Sequence, residues 1–435
     1  MLTIPVELVS TIVDFVDAPD LAALRLTCKQ TLLLANARFA RTYFSTRHHC
    51  ISKQSLEVLI DIIAHPYFGP YVRTIFIGTN RIVALGNHDS YDKSWPLQLD
   101  IPMWRQFMQQ KSFIESGSAY LLLKKALIQI KGRKLTLGIL PDVFQACEPP
   151  KFVSYGSYNT YSRFLHEKMN SPGYEVQNQS IKTLQFLLHA IQGSACDVDG
   201  LVVSSSAYDC KRGDLRHDLT LLRHQLSKVR SLTWYNNVAE ASPAETDLLD
   251  QYGYLFNACS NLQKVHICSE DLEKQMWKAA HGMPRASCDG VLFSFPSIST
   301  AALEDVTLEG GSYHYYSIIT LPLSSWTTLK RLKLKNVRLD DHVMHWAGVL
   351  KHFLKHYKLD LMEIQALGGY ISSRIEIPPQ DNDTYPLQFQ RAEDGIGFIW
   401  VEGLTFEGAA AVPEALPTLV QILRSAFTRW DETLA

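Results

Sequence analysis

Apolar residues along this chain follow two periodicities, and the change between them divides it. From Ile4 to Asn36 they recur at helical spacing. Leu8, Ile12 and Phe15 mark one helix face, and Val9, Val13 and Val16 mark a second stripe rotated from the first. Pro5 suits the first helical position, where its missing N–H has no partner to lose. Ala18-Pro19-Asp20 predicts a break, with Asp20 as N-cap of a second helix bearing Leu21, Leu24, Cys28, Leu32 and Ala35. A unit of about 40 residues cannot bury that much apolar surface within itself. The surplus must meet the rest of the chain, as a helical pair capping the main domain, or another protein.

Further along, short alternating runs replace the helical pattern. They include Val72-Arg-Thr-Ile75-Phe-Ile77, Leu135-Thr-Leu137, Leu201-Val-Val203, Leu232-Thr-Trp234 and Leu359-Asp-Leu361. Leu262-Gln-Lys-Val265-His-Ile267, Leu303-Glu-Asp-Val306-Thr-Leu308 and Leu329-Lys-Arg-Leu332-Lys-Leu334 fit the L-x-x-L-x-L core of a leucine-rich repeat. The spacing is uneven, and the two longest gaps, Ile75 to Leu135 and Leu135 to Leu201, predict a degenerate strand within each. Helical stripes fall between strands: Ile181, Leu184, Leu188 and Ile191; Leu219, Leu222 and Leu226; and a segment from Asp341 to Tyr357. The fold class predicted is α/β, an N-terminal helical segment followed by an irregular leucine-rich-repeat-like solenoid of strands and helices. A non-repetitive α/β domain is the structural alternative.

Residues 148–179, with Pro149-Pro150, Tyr155, Tyr158, Tyr161 and Pro172-Gly173, predict a long excursion. Asp394-Gly395 between Leu387-Gln-Phe389 and Phe398-Ile-Trp400 predicts a hairpin. Three segments result: helices over 1–45, a repeat-like partner-binding domain over 46–412, and a capping helix over 413–435 carrying Val420, Leu423, Phe427 and Trp430.

The residues of the first segment also resemble a known family. Ile4-Pro5-Val6-Glu7-Leu8, then Ile12, Asp20-Leu21, Leu24, Leu26 and Cys28-Lys29, resemble an F-box, whose motif reads broadly Leu-Pro-x-Glu-Leu, Ile, Asp-Leu, Leu, Cys-Lys. The resemblance covers roughly residues 2 to 45. Ile4 replaces the usual leucine, and no tryptophan follows Cys28-Lys29. It implies binding to the Skp-type adaptor that links such proteins to a cullin ubiquitin ligase. Carried over by motif, Pro5, Leu8, Ile12, Leu21, Leu24 and Cys28 lie at or beneath that interface, and Glu7 steadies the first helix by its charge.

Composition narrows the alternatives. With 20% charged and 46% hydrophobic residues the chain is neither disordered nor membrane-spanning in character, and no apolar run approaches a bilayer's thickness. A net charge of −2 offers no general attraction to nucleic acid or anionic membrane. The eight cysteines form no CxxC pair, and no basic region precedes the first apolar stretch. The expectation is a cytoplasmic or nuclear protein without cofactor or metal.

No HExxH, G-x-S-x-G or phosphate-loop motif is present, so no catalytic residue is assigned. His48-His49-Cys50 lacks a second ligand pair and is expected to be partly exposed at a domain junction. Arg331, Lys333 and Lys335 alternate with inward leucines and form the candidate substrate-binding strip, suited to an acidic or phosphorylated segment. The competing reading is lateral pairing within the sheet, Arg331 with Asp305 and Lys335 with Glu309, leaving Lys333 unmatched. Tyr313-His314-Tyr315-Tyr316 and Tyr155–Tyr161 are aromatic loops suited to contact or packing.

Together these readings predict a non-catalytic substrate receptor of a cullin-type ubiquitin ligase, holding a protein substrate on the repeat domain. A scaffold that binds the adaptor without directing ubiquitin transfer fits the same residues. An enzyme with a dispersed site has no motif to support it.

Overall fold

The computed structural model describes residues 5–84, 101–141, 154–156, 174–206, 216–237, 254–269, 303–313, 328–342, 345–356, 358–365, 367–371, 387–391, 397–401 and 404–407. Among these the protein is mixed α/β with a parallel sheet, and its chain divides into two compact units, Met1–Val198 and Asp199–Ala435. No described helix is long and apolar enough to cross a membrane. The expected cap at 413–435 lies outside the described residues.

The first unit opens with α1 (Val6–Phe15), α2 (Ala18–Thr27) and α3 (Lys29–Phe44). Pro5 is the N-cap of α1, and its carbonyl accepts the Leu8 and Val9 N–H groups, each at 3.1 Å. Ala18-Pro19-Asp20 starts a helix instead of breaking one. Asp17 is the N-cap of α2, and Asp20 lies in its first turn beside Pro19. That early in a helix proline removes no internal hydrogen bond, and a carboxylate is favoured by the exposed N–H groups. Cys28 ends α2 and caps α3: its sulfur accepts the Thr31 N–H, while the Thr31 hydroxyl accepts the Cys28 N–H.

Strands follow: β1 (Thr46–His49), β2 (Thr74–Gly78), β3 (Asn80–Ala84) and β4 (Leu135–Leu140). β1, β2 and β4 run parallel, with Ile75 beside Leu137 and Ile77 beside Ile139. Because β2 and β4 are direct neighbours, no degenerate strand of this sheet lies between them. The intervening chain instead holds α5 (Ile101–Glu115) and α6 (Ser118–Gln129). β3 pairs antiparallel with β5 (Tyr174–Asn178), at the end of the expected excursion. α4 (Lys53–Ala64) and α7 (Ser180–Ser194) bury their apolar faces, the second through Ile181, Leu184, Leu188 and Ile191 as predicted.

The second unit is built on a repeating frame. β6 (Val198–Ser206), β7 (Ser231–Asn237), β8 (Lys264–Ser269), β9 (Asp305–Glu309), β11 (Arg331–Lys335) and β13 (Leu361–Gln365) pair in parallel, in that order. Leu201, Leu232, Val265, Val306, Leu332 and Met362 form one inward ladder; Val203, Trp234, Ile267, Leu308, Leu334 and Ile364 form the next. Three residues before each first-ladder position stand Val198, Val229, Leu262, Leu303, Leu329 and Leu359, and all eighteen are at most 3% exposed. The L-x-x-L-x-L frame therefore recurs six times. In β13 it reads Leu359, Met362, Ile364, so the strand begins at Leu361, later than the expected Leu359–Leu361. α8 (Arg216–Leu226) buries Leu219, Leu222 and Leu226. α9 (His345–His356) begins later than the predicted Asp341, because β12 (Arg338–His342) occupies the preceding residues.

After β9 and β11 the chain leaves the sheet through a left-handed residue, Gly310 at φ 69° and Asn336 at φ 52°. Glycine has no Cβ to clash there, and asparagine is among the few side chains that tolerate it. The turns lead to β10 (Ser312–Tyr313) and β12, which join β14 (Leu367–Ile371) in a second parallel set. β15 (Leu387–Arg391) and β16 (Gly397–Val401) form the predicted hairpin, and β16 extends this set antiparallel beside β14. β17 (Leu404–Glu407) closes against β13, also antiparallel.

Candidate functional site

Of the two apolar stripes on α1, one is consumed internally. Val9 and Val13 are 7% and 2% exposed, packed with Leu21 and Ala35 and flanked by Val16, Leu24, Leu34, Phe39 and Tyr43. Polar contacts fix this packing. Arg38 donates to the Val13 carbonyl and the Tyr43 hydroxyl to the Ala18 carbonyl, tying α3 to both preceding helices. The Arg25 guanidinium lies 3.6 Å above the Phe39 ring and bonds Asn36 Oδ1 at 2.9 Å.

The other stripe stays in solvent: Leu8, Ile12 and Phe15 are 54%, 52% and 83% exposed. Single exposed leucines are ordinary, but three on consecutive turns of one short helix are a face without a cover. Leu26 on α2 and Leu33 on α3 are also exposed, and Leu33 lies outside the apolar stripes and the motif of the sequence. Pro5 is exposed beside Leu8 and Ile12 at the start of the same helix. Leu21 is fully buried and belongs to the core, with Leu24 packed partly against it. Cys28 is exposed, and its hydrogen bonds with Thr31 lower its thiol pKa from the ordinary value.

The second candidate surface is the outward face of β9, β11 and β13. Its register agrees with expectation: Arg331 lies opposite Asp305, Lys333 opposite Thr307 and Lys335 opposite Glu309. Arg331 Nε is 3.1 Å from Asp305 Oδ2. The expectation for the two lysines fails, because Glu363 stands opposite Lys333 on the other side. Its carboxylate takes Lys333 Nζ at 2.8 Å and Lys335 Nζ at 3.4 Å. Those two ammonium groups, Lys333 foremost, lower the Glu363 pKa from its ordinary value. Glu309 turns instead to His266, with Oε2 2.9 Å from Nε2. The three cations of β11 are thus matched within the sheet, which weakens the strip as an anion site. Of the expected aromatic loops only Tyr155 and Tyr313 are described, and Tyr313 is buried.

His48-His49-Cys50 departs further from expectation, since His49 and Cys50 are fully buried. β1 turns the His49 ring inward, where Nδ1 meets the Ser55 carbonyl at 2.9 Å and its hydroxyl at 3.1 Å. That hydroxyl donates to the Tyr155 carbonyl at 2.7 Å, joining α4 to residues 100 positions away. Burial, then the nearby Arg47 charge, lowers the His49 pKa to about 3 and that of His48 to about 4. Both rings are neutral structural groups at ordinary pH.

Comparison with known proteins adds no relative: no family model and no curated protein matches the chain. The F-box resemblance rests on the residues themselves.

Proposed function

We propose that this chain is a substrate receptor of a cullin-type ubiquitin ligase, its N-terminal helices binding a Skp-type adaptor and its repeat-like unit binding the protein to be modified. The observation that carries the reading is the uncovered Leu8, Ile12 and Phe15 face, on a helix whose other stripe is already packed. The F-box-like residue order supplies the identity of the partner. A leucine-rich-repeat-like solenoid is the reading supported by the six-fold frame in the second unit. Such a protein performs no bond chemistry; it raises the effective concentration of a substrate lysine near activated ubiquitin.

Co-expression with a Skp-type adaptor tests the proposal. Copurification that survives in Cys28→Ser and is lost in Leu8→Asp supports it, because only the second places an unpaired carboxylate in a desolvated contact. Failure of the unaltered chain to retain the adaptor overturns it.

A further inference from the structure

Among the described residues, one cluster reaching onto the same sheet face gathers three different metal-binding side chains. His266 and Cys268 are two residues apart on β8 and share its outward face, and Glu309 lies directly opposite Cys268 on β9. A ring nitrogen, the sulfur and a carboxylate oxygen all lie within 4.8 Å of one another, and all three residues are half-buried. We propose that His266, Cys268 and Glu309 form a three-ligand site for a zinc-class divalent cation.

The donor set selects the metal. A thiolate and an imidazole favour zinc over magnesium or calcium, which prefer oxygen ligands throughout. Bonds of about 2.0 Å to nitrogen and oxygen and about 2.3 Å to sulfur, spread tetrahedrally, need ligand atoms roughly 3.3–3.5 Å apart. His266 Nε2 and Glu309 Oε2 are 2.9 Å apart and must open by a few tenths of an ångström, while separations of up to 4.8 Å within the cluster must close by roughly an ångström. Side-chain rotation on an outward sheet face supplies such a shift.

The backbone beneath is fixed. Gly310 and Gly311, both left-handed, follow Glu309, and the Gly310 N–H donates to the Lys335 carbonyl at 2.7 Å. The end of β9 is thereby anchored to β11. Lys335, opposite Glu309, is engaged by Glu363 at 3.4 Å, which leaves Glu309 directed to His266.

Charge agrees with the geometry. The Cys268 thiolate and the Glu309 carboxylate together neutralise a divalent ion, whose binding releases the thiol proton to solvent. On the other side, Tyr235 lies opposite Cys268. The site would cross-link β8 to β9.

The test uses the full chain, stripped by chelator and kept reduced, titrated with zinc by calorimetry and with cobalt(II) by absorption. The expected result is a thiolate-to-cobalt charge-transfer band that disappears in Cys268→Ser, together with the loss of one zinc equivalent. Glu309→Gln, which keeps a hydrogen-bonding oxygen for His266, should weaken zinc binding by at least about tenfold. Metal-free melting curves of both variants report whether the fold is intact; if Cys268→Ser does not fold, the zinc affinity of Glu309→Gln decides. Absence of zinc binding in the unaltered chain, or variants with unchanged band and affinity, overturns the proposal. Adaptor capture is not involved, so the two proposals fail separately.

Discussion

On α1, Leu8, Ile12 and Phe15 are exposed to solvent, whereas on β9, β11 and β13 the charged side chains of the outward face meet one another. The two surfaces carry opposite information about binding. Exposed apolar area gains free energy from any complementary cover, at roughly 25 cal/mol per Å² removed from water. Paired charges gain little, because a newcomer must first separate them. An apolar partner for the helices is therefore a stronger inference than an acidic partner for the sheet, although the lysine-rich strand is the more conspicuous feature of the sequence.

The sharpest way to break the comparison is to exchange stability for binding on the helices themselves. Leu21→Ala removes a fully buried side chain and should cost about 2–5 kcal/mol of stability, read as a lowered denaturation midpoint. Leu8→Asp should leave the midpoint within roughly 0.5 kcal/mol, since surface changes cost little. On the proposed reading it also abolishes adaptor capture. If Leu8→Asp unfolds the unit, the exposed stripe is a core face and the comparison collapses.

How far the sequence foretold this contrast varies along the chain. Both α1 stripes were visible, but not which one would be buried. Leucine, isoleucine, phenylalanine and valine score alike as apolar, and only packing against Leu21, Ala35 and Phe39 selects the valines. Three repeats were legible because leucine opens each frame and leucine, valine or isoleucine fills the other two positions. The last frame is ambiguous in the sequence, since Leu361 precedes Met362, and an alternation of Leu359 with Leu361 hides Glu363, the partner of both lysines. β1 left no signal, because Thr46-Arg47-His48-His49 has no apolar alternation; it exists through pairing with β2. The His266, Cys268 and Glu309 cluster was hidden for another reason: its third member comes from a strand 41 residues further along the register.

The next effect lies in the first unit and contrasts a buried polar group with the exposed charges. His49 has a pKa of about 3 when folded, against an ordinary 6.5. The unfolded chain therefore binds the proton more readily between those values, and stability falls as pH drops below 6.5. The slope this ring contributes approaches about 1.4 kcal/mol per pH unit until the folded value is reached. His49→Leu should be less stable at pH 7, having lost the Ser55 contacts, yet show a flatter decline from pH 6.5 to pH 4. Denaturation midpoints across that range decide the matter; parallel profiles would mean that His49 is solvated.

The smallest effect belongs to the sheet face, where the comparison is most easily sharpened. Lys333→Ala removes one partner of Glu363, and Lys335 remains to hold it. Glu363→Ala leaves two ammonium groups facing the same side of one strand, with no carboxylate between them. The second change should therefore cost more, within the roughly 0–1 kcal/mol range of partly exposed pairs, and raised salt should shrink the difference. Acid should act in the same direction. Glu363 is held below its ordinary pKa of 4.5, so its contribution is complete above that value and is lost as pH falls through the lower folded one. A double-mutant cycle on Lys333 and Glu363 isolates the pair. A coupling near zero at low salt would leave Lys333 available for an acidic partner and restore the strip as a binding surface. A measurable coupling means that such a partner must compete with Glu363 for the same ammonium group.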